Sequence, residues 1–169
     1  QQKGNKMPKS PITISKCINS FYKEKFIELR DKFQKLKTAN RKFAITVDDC
    51  TDCTILRYVN VTAHVLGINS NTIECHVLGL TEIMKQGNAE TIKHLVEAKL
   101  AGFGIFLKND VIASTNDAAA VMKKYGNILG VLNQLCHNHA LHLAVMDCFY
   151  IKMLFPMKCL SIPKSLLMK

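Results

Sequence analysis

Three stretches rich in β-branched residues follow one another with only short links between them, and this order limits the fold more than any other feature. They are Phe43–Val47, Tyr58–Leu66 (YVNVTAHVL) and Thr72–Leu80 (TIECHVLGL). Gly67, Asn69, Ser70 and Asn71 supply turn chemistry between the last two, so those segments read as a hairpin. Links this short suit neighbouring antiparallel strands, since a parallel crossover needs a dozen residues or more. The pattern then changes. Ile92, Leu95, Val96, Lys99 and Phe103 recur at helical spacing over Ala89–Gly102, with Gly102 and Gly104 as the stop. Lys99 fits that stripe if its stem packs and its charge escapes to water. Val111–Ser114 reads as a short buried strand and Ala118–Tyr125 as a helix ended by Gly126. Val131–Leu135 reads as a fifth strand, and His137–Phe155 as a last helix ended by Pro156. The expected fold class is α/β: an antiparallel three-strand start, then alternating helices and strands, preceded by a helical extension.

That extension holds nearly all of the chain's net charge. Residues 1–42 contain 12 of the 23 Lys and Arg but only 3 of the 13 Asp and Glu. Residues 1–14 read as a flexible basic lead. Over 15–42, Ile18, Phe21, Tyr22, Phe26, Leu29, Phe33 and Leu36 form a helical stripe, with Lys23, Lys25, Arg30, Lys32 and Lys35 mostly off it. A basic helical face suits a phosphate backbone or an acidic partner, and equally a solvated surface. Residues 43–155 form the expected core and 156–169 a tail. The seven cysteines are odd in number and no secretory leader precedes them, which fits free thiols in a reducing compartment. The apolar stretch 139–157 is interrupted by Asp147, Lys152 and Pro156, so no membrane partner is expected.

Two acids stand at the ends of predicted strands: Asp48 in FAITVDD and Asp117 in VIASTND. Phosphoryl transfer by divalent metals needs carboxylates on rigid neighbouring elements, and adjacent strand ends provide them. Each residue also has a plain structural use, Asp117 as a helix N-cap and Asp48 as the start of a turn. A second cluster is Cys136-x-x-His139, with His137 and His142 nearby. Together with Cys50-x-x-Cys53 it has the composition of a four-ligand zinc site. Alternatively, Cys136 is a small buried hydrophobe and the histidines are polar groups at a helix start.

Three motifs in this order resemble the catalytic core of the hAT (hobo and Activator) transposases and the host proteins derived from them. Thr46-Val47-Asp48-Asp49-Cys50-Thr51 is similar to the family's T-[LV]-D-x-W-T motif, and Asn116-Asp117-Ala118-Ala119-Ala120-Val121-Met122 to its T-D-G-A-x-x-M motif. Cys136-His137-Asn138-His139 is similar to its C-x-x-H motif, ahead of an apolar helix. The resemblance covers roughly residues 15–155. It implies an RNase H-like fold, a nuclear location and metal-dependent DNA cleavage and strand transfer. Asp48 and Asp117 would be catalytic ligands of Mg²⁺ or Mn²⁺, and Cys136 and His139 would lie near the DNA. Lys23, Lys25, Arg30, Lys32 and Lys35 are the expected nucleic-acid contacts.

The departures bear on activity. Cys50 replaces the family's tryptophan and Ala118 its glycine, and no glutamate follows Glu97. The family's third acid, its zinc-binding BED finger and its dimerisation region have no counterpart in this sequence. The expectation is therefore a partial transposase core that binds nucleic acid, holds metal weakly and is inactive alone. The alternative is a domesticated interaction module with a protein partner or a second copy of itself.

Overall fold

The computed structural model describes residues 10–151 except 52, 54, 69, 71, 85 and 86. The first nine residues of the expected lead, the last part of the expected final helix and the tail lie outside the described residues. So do two positions of the expected hairpin turn.

Helix α1 covers Pro11–Thr38, starting at a proline that fits the first helical turn because its missing N–H would have no partner there. It thus begins before residue 15 and ends before 42. Only its C-terminal half meets the core. Phe33 and Leu36 are buried, and Phe26 and Leu29 pack partly, whereas Ile12, Ile18, Phe21 and Tyr22 are exposed. The stripe seen in the sequence is real, but its first turns have nothing to cover them among the described residues.

Strands β1 (Phe43–Thr51), β2 (Arg57–Leu66) and β3 (Ile73–Glu82) form the antiparallel start. Helix α2 (Ala89–Gly102) follows, then the short α3 (Leu107–Asp110), which the sequence pattern does not signal. Strand β4 (Val111–Asn116), helix α4 (Ala120–Ile128), strand β5 (Leu132–Leu135) and helix α5 (His137–Met146) complete the order, with one π turn at Asp147–Ile151. The sheet order is β3-β2-β1-β4-β5, with β4 parallel to β1 and β5 parallel to β4. This mixed five-stranded arrangement is consistent with an RNase H-like fold.

Strand alternation decides what each face carries. Ile45, Val47, Val59, Val61, Ala63 and Val65 are buried on the face covered by the helices. Ile92, Val96 and Leu100 of α2 join that core, as do Met122 and Tyr125 of α4. From α1, Phe33 meets Phe43 edge-on at 5.3 Å and His76 at 5.4 Å between ring centres. The opposite face carries Thr46, Asn60, Thr62 and His64, flanked on β3 by the exposed Ile73, Val77 and Leu80. A bulge at Leu78, with Gly79 at φ +102°, keeps both sets in register: Leu78 turns into the core while Val77 and Leu80 stay outside.

Two glycines expected as helix stops behave differently. Gly104 has φ +74°, and the N–H groups of Gly104 and Ile105 donate to Ala101 and Leu100 to close α2. Gly126 does not end α4, which runs on to Ile128. It is buried where α4 crosses β5, and a Cβ there would meet the Asn133 side chain. Close approach, rather than chain reversal, explains this glycine. Lys99 donates from Nζ to the Leu80 carbonyl at 3.2 Å, and burial lowers its pKa.

Candidate functional site at the ends of β1 and β4

The last backbone pair between the parallel strands β1 and β4 joins Val47 to Asn116. One residue further along each strand lies an aspartate, Asp48 and Asp117. They line one cleft of about 400 Å³ together with Thr46, Val47, Asn60, Asn116, Cys136, Asn138 and His139. Asp48, Asp117, Cys136 and His139, all singled out in the sequence, are therefore brought to one place, whereas His137 and His142 are not among the lining residues.

The pleat separates the two adjacent aspartates of β1. Asp48 pairs across β2 with Asn60 and faces the cleft, while Asp49 turns to the other face and accepts an ion-paired hydrogen bond from Arg57. Asp48 has no such cation among the described residues. Partial burial, and then the charge of Asp117, push its carboxyl above the usual range, while His139 pulls it down. Two like charges close together at the mouth of a sheet are a standing cost unless a cation or a proton joins them.

Asp117 keeps part of its plain structural role. Its Oδ1 accepts from the Ala119 N–H at 3.1 Å, one step ahead of α4, although Ala119 rather than Asp117 occupies the N-cap position. One carboxylate oxygen is thus held by backbone, and the residue lines the cleft. Cys136 is the N-cap of α5, and its N–H donates to the Asn116 carbonyl at 2.7 Å. This bond fixes the β5–α5 corner against the end of β4. It also places His139, in the first turn of α5, within electrostatic reach of Asp48.

No group of three or more His, Cys, Asp or Glu side chains spaced to hold a metal occurs among the described residues. The zinc composition noted in the sequence thus does not assemble; Cys50 and Cys53 are exposed, free thiols. What the cleft does offer is two hard carboxylates, with amide side chains of Asn60 and Asn138 beside them. Asn116 also lines it, fully buried, with Nδ2 donating to the Met122 carbonyl at 2.5 Å. Asn60, Asn116 and Asn138 were not marked as site residues by the sequence. The pairing register was the missing signal, because Asn60 becomes relevant only once it stands opposite Asp48.

The basic residues of α1 are not part of this cleft. Phe33 packs against Phe43, the first residue of β1, and Asp48 lies five residues further along, about 16 Å at the rise of a strand. Several of these cations already have acid partners. Lys25 pairs with Glu28 at 2.6 Å and Lys32 with Glu74 at 2.8 Å, and Arg30 lies 3.9 Å from Asp31. No helix among the described residues is long and apolar enough to cross a membrane. No family model matches the chain, and no curated protein matches it.

Proposed function

We propose that this chain is a partial hAT-type transposase core in which Asp48 and Asp117 hold Mg²⁺ or Mn²⁺ against a DNA phosphate. The observation that carries the reading is the convergence of two acids and the Cys136–His139 corner on one cleft, at neighbouring ends of parallel strands. The donor set fits such an ion. Magnesium is commonly held by one or two carboxylates, with water and substrate phosphate filling the remaining positions. The mutual repulsion of Asp48 and Asp117 would be relieved by a divalent cation. When bound, the ion would supply charge neutralisation at the phosphate.

The chain's own residues do the positioning. Ala119 N–H orients Asp117, and the Cys136–Asn116 bond holds α5 so that His139 faces the acids. Asn60 and Asn138 offer neutral amides to a phosphate or sugar at the rim. Asp147, the only acid after Asp117 in the sequence, lies in the π turn and joins no three-residue metal group. The activity proposed for this chain is therefore metal-assisted nucleic-acid binding, with strand cleavage ancestral and a nuclear setting implied.

The test is a DNA-binding titration with and without Mg²⁺. Wild type should gain affinity with the metal, and Asp48→Asn and Asp117→Asn should not. Equal binding with and without Mg²⁺ sinks the reading, and Mg²⁺-dependent nicking abolished by Asp48→Ala would make the chain an enzyme in its own right.

A second reading is favoured by the exposed Ile73, Val77 and Leu80 on the edge strand β3 and by Ile18, Phe21 and Tyr22 on α1. Exposed apolar surface of this kind suits a protein partner or a second copy of the chain. Salt separates the two readings. Phosphate binding weakens steeply as salt rises, whereas an apolar contact does not.

A further inference from the structure

On the sheet face opposite the helices, three side chains from three successive strands form one hydrogen-bonded series. Thr46 Oγ1 of β1 lies 2.8 Å from His64 Nε2 of β2, and His64 Nδ1 lies 3.1 Å from Cys75 Sγ of β3. His64 and Cys75 are direct partners in the β2–β3 register, so backbone pairing fixes the contact. Cys75 is exposed on an edge strand and can be reached from the sheet face and from its side.

We propose that Cys75 is a reactive thiol with His64 as its base, and that it forms a mixed disulfide with small disulfides of the glutathione type. The proposal does not depend on the reading of the acidic cleft. In the tautomer that serves it, His64 Nε2–H donates to Thr46 Oγ1, and the bare Nδ1 accepts from the Cys75 thiol. Burial holds the imidazole below its ordinary pKa, so it is neutral and able to accept a proton near pH 7. Thr46 keeps the ring from turning its basic nitrogen away.

The exchange balances without any further reagent. Nδ1 takes the proton from Cys75 Sγ, and the thiolate attacks one sulfur of the disulfide. The S–S bond breaks as the Cys75 mixed disulfide forms. The leaving thiolate recovers the proton from His64. Cys75 is oxidised, half of the small disulfide is reduced, and the imidazole returns neutral. The exposed Ile73 and Val77 flank the thiol on the same strand face and give the adduct an apolar bed.

The chain contains its own controls. Cys17, Cys50 and Cys53 are also exposed, and none has a histidine ring nitrogen within bonding distance among the described residues. The full chain would be incubated with glutathione disulfide at fixed pH, and the labelled fraction at each cysteine followed by peptide mass mapping. Cys75 is expected to react about tenfold faster than the other three. His64→Asn should bring its rate down to theirs without changing theirs, and Thr46→Val should slow it severalfold while circular dichroism stays unchanged. A wild-type Cys75 that reacts no faster than Cys53 overturns the proposal, whether or not either variant folds. So does a rate that survives His64→Asn.

Discussion

Asp48 and Asp117 stand one residue beyond the last backbone pair of two parallel strands, and partial burial, then the charge of Asp117, raise the pKa of Asp48. A pair held this way is strained electrostatically at neutral pH and gains from any partner that removes charge. Because Asp48 holds its proton more tightly in the native state than in the unfolded chain, stability falls as pH rises through and beyond the ordinary carboxylate range. Asp48→Asn should therefore raise the melting temperature at pH 7, and the gain should vanish in acid, where the native carboxyl is protonated anyway. Thermal melts from pH 3 to 7 would check this; a gain that persists at low pH would place its cause elsewhere.

The same pair predicts a metal response. Millimolar Mg²⁺ or Mn²⁺ should raise the melting temperature of wild type by mass action on the native state. Asp48→Asn and Asp117→Asn should abolish that rise. Chelation should reverse it without unfolding the protein, since the core residues Ile45, Val59 and Val61 do not line the cleft.

Asp49 is predicted to behave in the opposite way to its neighbour. It is partly buried on the helix face, its Oδ2 is ion-paired to Arg57, and its buried Oδ1 has no hydrogen-bond partner among the described residues. Arg57→Ala leaves that carboxylate short of a partner and should destabilise the fold by about 1–3 kcal/mol. The metal-induced rise in melting temperature should remain. Should Arg57→Ala abolish the metal response while leaving stability intact, the roles assigned to the two aspartates would have to be exchanged.

This contrast also marks what the sequence allows. The strand-like runs, their order and the acids at their ends are legible because hydrophobic alternation and turn residues are local signals. Which of two adjacent aspartates faces a cleft is not local: it depends on the pairing of Asp48 with Asn60 and on β4 bringing Asp117 alongside the end of β1. The same holds for Gly126, whose role comes from Asn133 on a different element. The opposite placement of the α1 lysines and the acids follows from Phe33 meeting Phe43, a contact no spacing rule announces. Lys37, which the sequence pattern does not single out, donates to the Gly104 carbonyl at 2.6 Å and pairs with Asp110 at 2.8 Å. It thereby ties α1 to the loop after α2 and to the end of α3.

Gly104 and Gly130 offer a paired test of that junction. Both have positive φ, +74° and +79°, so alanine at either is strained by about 1 kcal/mol. Around Gly130 there is open space, but at Gly104 a Cβ would lie 2.3 Å from Gln34 Nε2. Gly104→Ala should therefore cost more than Gly130→Ala in urea unfolding, and Gln34→Ala should bring the two closer. Equal costs would mean that Gln34 moves aside freely.

The two halves of α1 should differ by most of a core side chain. Phe33 is fully buried against Phe43, His76 and Phe103, whereas Phe21 is exposed. Phe33→Ala should destabilise by about 3–5 kcal/mol, the cost of a large cavity in a packed core. Phe21→Ala should stay within about 0.5 kcal/mol, as surface changes do. Urea unfolding of the two variants would measure both, and repeating Phe21→Ala over a range of protein concentrations adds a second result. If its cost grows with concentration, the exposed turns of α1 are covered in solution by another copy of the chain, because only association makes stability depend on protomer concentration.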